Sequence, residues 1–425
     1  MWNSLVRIWS LPDLRKNILF VLAMLVAFRF AANIPLPGVD INNLKAFLDS
    51  NQIFGLLNVF SGGGLGNFSV VAMGVGPYIT ASIILQLLVM IVPSLEKLSK
   101  EGEYGRQKIN QYTRYLTVPL AMIQSYSLVM LLKNSPKPIL GALDPWTMGL
   151  LILSLTAGTL FLMWIGELIS ERKIGNGISL LIFAGIVSRL PVMVQSSLSV
   201  YDSSQLFSYL GFIAVGIFTI VTVVVMTEAQ RNIPVTYARQ TRGDRMTGSM
   251  HSHLPLRLNQ AGVIPIIFAI SIILFPPTLA QFFLQARTPQ VAQAAQAIIT
   301  FFNNQTVYGV LYFFLVVGFT YFYTAIIFKP EQVAENLQKQ GGFIPGIRPG
   351  KATEEFLQMT VNRIILPGAL FLAIIAVLPL IMRQATGMTS LAVGGTSLLI
   401  VVSVVLETLK QIDAQLTMRD YEHLI

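Results

Sequence analysis

The sequence predicts an all-α membrane protein with ten transmembrane helices, arranged as two inverted halves of five helices. Three observations support this: the composition, a series of apolar segments, and a motif that recurs half a chain apart. Of the 425 residues, 54% are hydrophobic and 12% are charged, about half the charged share of a soluble domain. The chain has no cysteine, which excludes disulfides and thiol chemistry.

Ten segments with few or no charged side chains follow one another along the chain. They lie at about 17–36, 71–92, 113–132, 147–167, 178–195, 206–227, 261–283, 306–328, 361–382 and 389–408. Each has about the length of apolar helix that spans a bilayer core. An even number of spans places both termini on one side. Because 22 of the 29 Lys and Arg residues belong to that side, both termini are predicted to be cytoplasmic.

The second span is predicted to be broken. Residues 50–95 contain no charged side chain and are too many for one membrane helix. Glycines at 62–64 and at 66 precede the apolar run, and glycine disfavours helix. One interpretation is a glycine-rich piece that dips into the membrane, which would mark a transport path. The other is an ordinary external loop before a plain span.

The recurring motif predicts the inverted repeat. Residues 176–182 (NGISLLI) open the fifth span, and residues 394–400 (GGTSLLI) open the tenth. With five spans in each half, the halves insert with opposite orientation, which is typical of a pathway between inverted repeats. Chance recurrence in leucine-rich helices is the alternative, but the shared ordinal position favours a true repeat. The halves are therefore assigned to residues 1–200 and 201–425.

Motifs for catalysis or ligand binding are weak. Residues 346–352 resemble a phosphate loop, but the spacing is wrong and Ala352 stands where a hydroxyl is needed. His251 and His253 lie in a basic loop without cysteine or a carboxylate cluster. We therefore expect no enzyme activity, no cofactor and no metal. A secondary transporter for a small neutral solute is the alternative, disfavoured because no ionisable residue lies at the centre of a span.

Two cytoplasmic loops, 229–258 and 329–360, are basic and longer than ordinary connectors. Residues 341–350 (GGFIPGIRPG) combine glycine and proline in a way that predicts a fixed, projecting turn with Arg348 exposed. Such a turn suits docking on phosphate-rich RNA or on an acidic protein face. For individual cations, a topology signal or contact with lipid headgroups is the alternative.

The chain resembles the bacterial SecY family, which forms the large subunit of a protein-conducting channel. The matching stretches are 29–39 (RFAANIPLPGV), 60–88, 101–114, 164–186, 253–276, 343–350 (FIPGIRPG) and 394–401 (GGTSLLIV). They run from the first span to the tenth. The resemblance implies an hourglass channel in the cell inner (cytoplasmic) membrane, through which unfolded polypeptides cross and from which apolar segments enter the lipid.

The resemblance also implies a constriction and its seal. The pore ring implied by position is Val75, Ile79, Ile178, Ile182, Ile267 and Ile400. A ring of aliphatic side chains gates by dewetting. The segment at about 61–70 resembles the plug beneath the ring, and its implied residues are Ser61, Gly62, Gly63, Gly64, Leu65, Gly66, Asn67 and Phe68. The family often has isoleucine where Val75 stands, so the ring is expected to be slightly wider here.

A lateral gate is implied between the second and seventh spans. Its candidate residues are Thr80, Gln86, Asn259 and Phe275. We expect the polar members to hydrogen-bond across the seam between the two helices. We also expect Pro77 and Pro265, near the start of each helix, to weaken the backbone hydrogen bonding.

The partners implied by the resemblance are the SecE and SecG subunits, the SecA ATPase, the ribosome, signal peptides and nascent chains, and membrane lipids. SecA or the ribosome would drive the passive pore. The implied docking residues are Arg239, Arg245 and Arg348 in the two basic loops. Asp244 departs from the family pattern and weakens the expected charge role of the first loop.

Overall fold

The computed structural model describes residues 11–50, 58, 61–133, 139–141, 144–199, 206–237, 241–242, 245–246, 251–284, 288–386 and 394–422. The helices are α1 (Pro12–Ala31), α2 (Ile41–Ser50), α3 (Gly76–Ile91), α4 (Pro93–Lys100), α5 (Glu103–Lys133), α6 (Pro145–Glu171), α7 (Gly177–Ser199), α8 (Leu206–Glu228), α9 (Ile264–Phe283), α10 (Pro289–Asn303), α11 (Gln305–Ile327), α12 (Pro330–Lys339), α13 (Lys351–Thr386) and α14 (Gly394–Glu422). The strands are β1 (Gln230–Tyr237), β2 (Thr241–Arg242), β3 (Arg245–Met246), β4 (His251–Arg257) and β5 (Gly342–Phe343).

A helix overlies each of the ten predicted spans, which confirms the helical class. Five helical stretches of the described chain are long and apolar enough to cross a membrane: Glu103–Lys133, Pro145–Glu171, Ile264–Phe283, Gln305–Lys339 and Lys351–Met382. A sixth is formed if α3 and α4, bent by 100° at their junction, are taken together.

Several helices extend beyond the predicted apolar segments. The helix of the third span, α5, begins at Glu103 instead of 113. The helix of the ninth span, α13, begins at Lys351 instead of 361, and the helix of the tenth span, α14, continues to Glu422. The predicted boundaries were wrong there because an apolar run records only membrane thickness. A helix closes its hydrogen bonds within its own backbone, so it can continue as a polar helix into water.

The stretch before the second apolar helix is irregular, and that helix begins later than predicted. Residues 71–75 form turns, and α3 starts only at Gly76. Gly74 has a φ of 58°, a left-handed conformation that glycine adopts without strain and that a helix does not continue through. The irregular stretch therefore covers residues 61–75, including part of what the apolar run predicted as helix.

The two helices predicted to form the gate begin in the same way. Pro77 and Pro265 both lie in the first turn, at N1 or N2 of α3 and α9. Val75 and Val263 occupy the N-cap positions, with φ/ψ of −93°/6° and −93°/−9°. The expectation that these prolines weaken the helices is wrong, because the first N–H groups of a helix have no intrahelical acceptor in any case.

The two basic loops are not plain loops, contrary to the sequence interpretation. Strand β1 pairs antiparallel with β4, from Gln230 opposite Arg257 to Thr236 opposite His251. Strand β5, from the second loop, pairs with the other edge of β1, so both loops join in one three-stranded sheet with the order β4-β1-β5. Ile233 and Val235 alternate inward and pack with Leu256 over α12 and α13.

Two large apolar clusters organise the interior. One is built mainly from α3, α7, α9, α11, α13 and α14 and includes Ile79, Ile182 and Ile267. The other includes residues of α2, the end of α5 and the start of α6, such as Leu44 and Leu132. Helices α2 and α10 were not predicted, because at 10 and 15 residues they are too short to produce a span signal.

Candidate functional site

The structure brings all six predicted ring residues into one apolar cluster. Five are buried members: Val75, Ile79, Ile182, Ile267 and Ile400, with exposed fractions from 0% to 7%. Ile178 is half-buried and packs against the same cluster. They come from α3 and its N-cap, α7, α9 and α14, so both halves of the chain contribute to the contact. A constriction made of aliphatic side chains has no group that could hold water or an ion in place.

A cavity of about 430 Å³ lies against this cluster, on the side where α7 and α9 begin. Its lining includes three ring residues, Ile79, Ile178 and Ile267. Its wall also carries polar side chains, including an ion pair between Nε of Arg114 on α5 and Oε1 of Glu167 on α6, 2.7 Å apart. The cavity is therefore a vestibule of mixed polarity that is bounded on one side by the apolar cluster.

The glycine-rich segment (residues 61–70) is folded as turns and is mostly buried. Of the predicted plug residues, Ser61, Gly62, Gly64, Leu65, Gly66 and Phe68 are buried, Gly63 is half-buried and Asn67 is exposed. Its polar backbone is satisfied locally. Asn58 Oδ1 accepts from the Gly66 N–H at 2.7 Å, and Ser61 Oγ accepts from the Leu65 N–H at 3.1 Å. Such local satisfaction is what irregular backbone requires away from water.

The glycine-rich segment bridges the two apolar clusters. Leu65 and Phe68 belong to the second cluster, and the chain that follows enters the ring cluster with Val71. The end of the segment is also held by backbone bonds to the α1–α2 connection: the Leu36 N–H donates to Phe68 O at 2.9 Å, and the Val70 N–H to Ile34 O at 3.1 Å.

A close approach between the Val70 carbonyl and α6 fixes the same end of the segment. A Cβ added to Gly158 would lie 2.0 Å from Val70 O. Only glycine at position 158 therefore allows the segment to seat against α6. Phe68 has a φ of 42°, a strained conformation for a non-glycine residue, although its side chain is fully buried.

The predicted gate residues lie on or before the two packed helices α3 and α9, but their hydrogen bonds do not cross the seam. Thr80 donates to Gly76 O within α3, Gln86 donates to Ser82 Oγ, and Asn259 Nδ2 donates to Gly262 O. The expectation of interhelical bonds was wrong because carbonyls one turn back and nearby hydroxyls are closer partners. Phe275 is half-buried and carries no polar group.

Two gate residues nevertheless carry unpaired polar atoms. Gln86 Oε1 and Asn259 Oδ1 are buried and have no hydrogen-bond partner among the described residues. A buried acceptor without a partner costs about 1–3 kcal/mol. One of these atoms lies on α3 and the other just before α9, and both would gain hydrogen bonds if a movement of the two helices admitted water or a peptide.

Of the three predicted docking residues, Arg348 is the one whose side chain the structure describes. It is exposed in the basic turn (residues 341–350), where Gly346 and Gly350 have φ of 82° and 99°. Thr353 Oγ1 donates to Arg348 O at 2.9 Å and fixes the backbone of the turn. Arg239 lies outside the described residues. Arg245 lies in β3, opposite Arg242.

An ion pair on α4 lies close to the second basic loop. Lys100 Nζ and Glu96 Oε1 are 2.7 Å apart on the surface. The hydrogen bond from Lys100 lowers the pKa of the Glu96 carboxyl, and the charges of Lys100 and then Lys329 add to this effect. Lys329 is the N-cap residue of α12, so the α4 pair lies within electrostatic range of the start of α12.

The sequence interpretation missed two parts of the site. Val263, 1% exposed, lies in the ring cluster and occupies on α9 the place that Val75 has on α3. The signal was present as Gly-Val-x-Pro at residues 74–77 and again at 262–265, with Gly262 at a φ of 62°. The ion pair of Arg114 and Glu167 was also missed, because no local pattern links residues 53 positions apart.

Comparison with known proteins gives consistent results. The family model for SecY matches residues 69–409. The chain is 43% identical to the protein translocase subunit SecY of Streptomyces galbus, covering 99% of both chains, and 44% identical to that of Halalkalibacterium halodurans, covering 100% of both. A solved structure concerning the plug domain of a SecY protein has a TM-score of 0.63 at 18% identity, covering 92% of this chain and 90% of that one. Sec61 in a canine ribosome–channel complex has a TM-score of 0.57 at 17% identity, with the same coverage. At these identities the structural likeness is one of fold.

Proposed function

The chain belongs to the SecY family, and we propose that it is the channel-forming subunit of a protein translocase. In this function the chain conducts unfolded polypeptides across the cell inner membrane and releases apolar segments sideways into the lipid. It has no catalytic role of its own, and the energy comes from a partner, SecA or the ribosome.

One observation carries the proposal: side chains from both halves form one apolar cluster, which we interpret as a constriction, with the vestibule against it and the glycine-rich segment leading into it at Val71. Val75, Ile79 and Ile267 belong to the same buried cluster as residues of α7 and α14. Such a constriction excludes water and ions at rest. It can also deform around a passing chain, because it depends on apolar bulk and not on a fixed set of hydrogen bonds. The glycine-rich segment would act as the plug that closes the far side.

The proposed topology has ten membrane-spanning helices and both termini in the cytoplasm. It is supported by a helix at each of the ten apolar segments and by the Lys and Arg distribution. The vestibule then opens to the cytoplasm, and the glycine-rich segment lies toward the outside. The two halves would be inverted repeats, supported by the equal starts of α3 and α9, the second spans of their halves.

The lateral gate is proposed between α3 and α9. An apolar segment of about 20 residues is more stable in lipid than in a watery pore, and it can leave only through a seam between helices. The unpaired acceptors of Gln86 and Asn259 support this seam, since opening would provide them with partners.

The proposed partners are assigned to the surfaces described above. The sheet and the basic turn would receive SecA or the ribosome, with Arg348 as a contact. SecE and SecG would complete the complex in the membrane, and signal peptides would enter at the gate.

Site-specific cross-linking tests the proposed path, and the absence of cysteine makes it clean. The chain is reconstituted in liposomes with its small membrane subunits and the motor, and a precursor is stalled during translocation. A single cysteine replacing Ile182, 1% exposed in the ring cluster, should cross-link to the precursor. A cysteine replacing Phe218, 71% exposed on α8 and facing lipid, is the matched control and should not. Equal cross-linking at both positions, or none at Ile182, would contradict the proposed pore.

A further inference from the structure

The contact between the end of α1 and the glycine-rich segment includes a hydrogen bond from a charged donor. Arg29, in the last turn of α1, donates from Nη1 to the carbonyl oxygen of Gly62 at 2.6 Å. The guanidinium is half-buried and lies 5.9 Å from the centre of the Phe28 ring. A hydrogen bond from a charged donor is about twice as strong as one between neutral groups, and more so where water is partly excluded.

Gly62 is seated so that only its backbone fits. Its φ is 68°, and an added Cβ would lie 2.8 Å from Phe28 Cζ and 2.9 Å from the Cα of Gly185 on α7. The segment is therefore inserted between α1 and α7 at this residue. Its carbonyl is directed to Arg29, and no side chain of its own can compete for the guanidinium.

This contact is separate from the other attachments of the segment. The bonds to Ile34 and Leu36 hold its end, at Phe68 and Val70, and the Gly158 contact holds Val70. Arg29 holds the opposite end, at the beginning of the glycine run. The segment cannot leave its seat next to the ring without breaking the bond to Arg29.

We infer that Arg29 is a positioning residue that keeps the channel closed by holding the glycine-rich segment at Gly62. The inference rests on the proposed plug function of that segment. Opening of the channel requires Arg29 to release Gly62, so the strength of this one bond sets part of the resting leak. Arg29 touches neither the polypeptide path nor the docking turn in this role.

The test measures resting ion conductance of the reconstituted complex in planar bilayers. Arg29→Met keeps much of the apolar stem and removes the donor, and it should raise the resting conductance about tenfold, corresponding to about 1.4 kcal/mol. Arg29→Lys keeps the positive charge but lacks the planar guanidinium, so it should raise the resting conductance less than Arg29→Met does. Lys45→Met, at an exposed position on α2 in the same external region, is the matched loss of one positive charge and should leave the conductance unchanged.

A disulfide that fixes the glycine-rich segment in place distinguishes the loss of positioning by Arg29 from general damage to the channel. Pro35 and Ser69 face each other in an antiparallel bridge, a pairing whose Cα separation of about 4.5–5.5 Å is within disulfide reach. In an Arg29→Met background, cysteines at both positions should restore a low conductance when oxidised and release it on reduction. A misfolded channel would not be resealed in this reversible way, and a leak that persists after oxidation would overturn the inference.

Deletion of residues 61–70 provides the reference for the plug itself. If the deletion leaks and Arg29→Met is as tight as the unaltered protein, the positioning role of Arg29 is wrong and the plug assignment stands. If the deletion is also tight, the plug assignment fails, and the inference fails with it. A leak in both variants, with Lys45→Met tight, supports both.

Discussion

The glycine-rich segment and the basic turn are two glycine-rich, non-helical parts of the same chain with opposite surroundings. Both contain glycines at positive φ, such as Gly62 at 68° and Gly346 at 82°. At Gly62 an added Cβ would collide with neighbouring atoms, whereas none lies within 4 Å of one at Gly346. The first segment is mostly buried and without charge, and the second presents Arg348 to solvent.

The difference shows that glycine serves two purposes in this protein. In the glycine-rich segment it allows the backbone to approach other backbone closely, as Gly62 approaches α7. In the basic turn it allows a reversal of direction that projects a cation from a fixed position. The two regions should therefore respond to substitution in separate assays, the resting conductance for the first and driven translocation for the second.

The largest expected effect is a loss of translocation without a leak. Arg348→Glu reverses the charge on the basic turn and should reduce driven translocation at least about tenfold, because it introduces repulsion at an acidic or phosphate surface. Resting conductance should not change. Rates are measured by protease protection of a precursor in proteoliposomes, with Arg348→Lys as the charge-conserving control. A variant that translocates at the normal rate would remove Arg348 from the docking surface.

The next effect is a leak without a loss of docking. Replacing Ile79, Ile182 and Ile400 together by serine should wet the constriction and raise the resting conductance. The conservative variants Ile79→Leu and Ile182→Val should be nearly silent, since the ring depends on apolar bulk. Binding of the motor, measured by sedimentation with the vesicles, should stay normal. A triple serine variant as tight as the unaltered protein would mean that these residues are ordinary helix packing.

A methyl group added at position 158 of α6 should disturb the seating of the glycine-rich segment, whereas one added elsewhere on the same helix should not. Gly158→Ala places a Cβ against Val70 O and should cost about 1–3 kcal/mol in unfolding free energy through overpacking, together with a measurable leak. Gly149→Ala, on the same helix and with no atom within 4 Å of the added Cβ, is the matched control. Equal behaviour of the two variants would contradict a tight seat at Val70.

The smallest effect is expected in the basic turn. Gly346→Ala imposes a left-handed conformation on alanine, at a cost of about 1–2 kcal/mol, with no steric collision. Translocation should fall only a few-fold and conductance should stay at the resting level. Gly62→Ala combines the same backbone strain with collisions and should leak. If Gly346→Ala leaked as well, the two glycine-rich regions would not be independent.

The helices could be predicted from the sequence because the bilayer sets the length of each apolar run. The three-stranded sheet could not be predicted from the sequence. Its buried face is small, and Pro234 and Pro255 within β1 and β4 disfavour a strand assignment. The strands are stabilised by packing on α13, where Leu256 and Ile233 gain apolar neighbours that no local sequence pattern shows.

Within the candidate site, residue positions were predictable from the family resemblance, but hydrogen-bond partners were not. Thr80 lies beside a neighbouring helix, but its hydroxyl donates to the carbonyl oxygen of Gly76 one turn back in its own helix. No role was predicted for Arg29, because the sequence cannot show that Gly62, 33 residues away, offers its carbonyl. The equivalence of Val75 and Val263 was available in the sequence, as a repeated Gly-Val-x-Pro.

The three-stranded sheet links the basic turn to the chain that leads into helix α9. Strand β5 leads within five residues to Arg348, and β4 leads through Asn259 directly to the start of α9. Both strands are hydrogen-bonded to β1. A displacement of the basic turn would therefore be passed through two strand pairs to the start of α9, the helix that packs against α3.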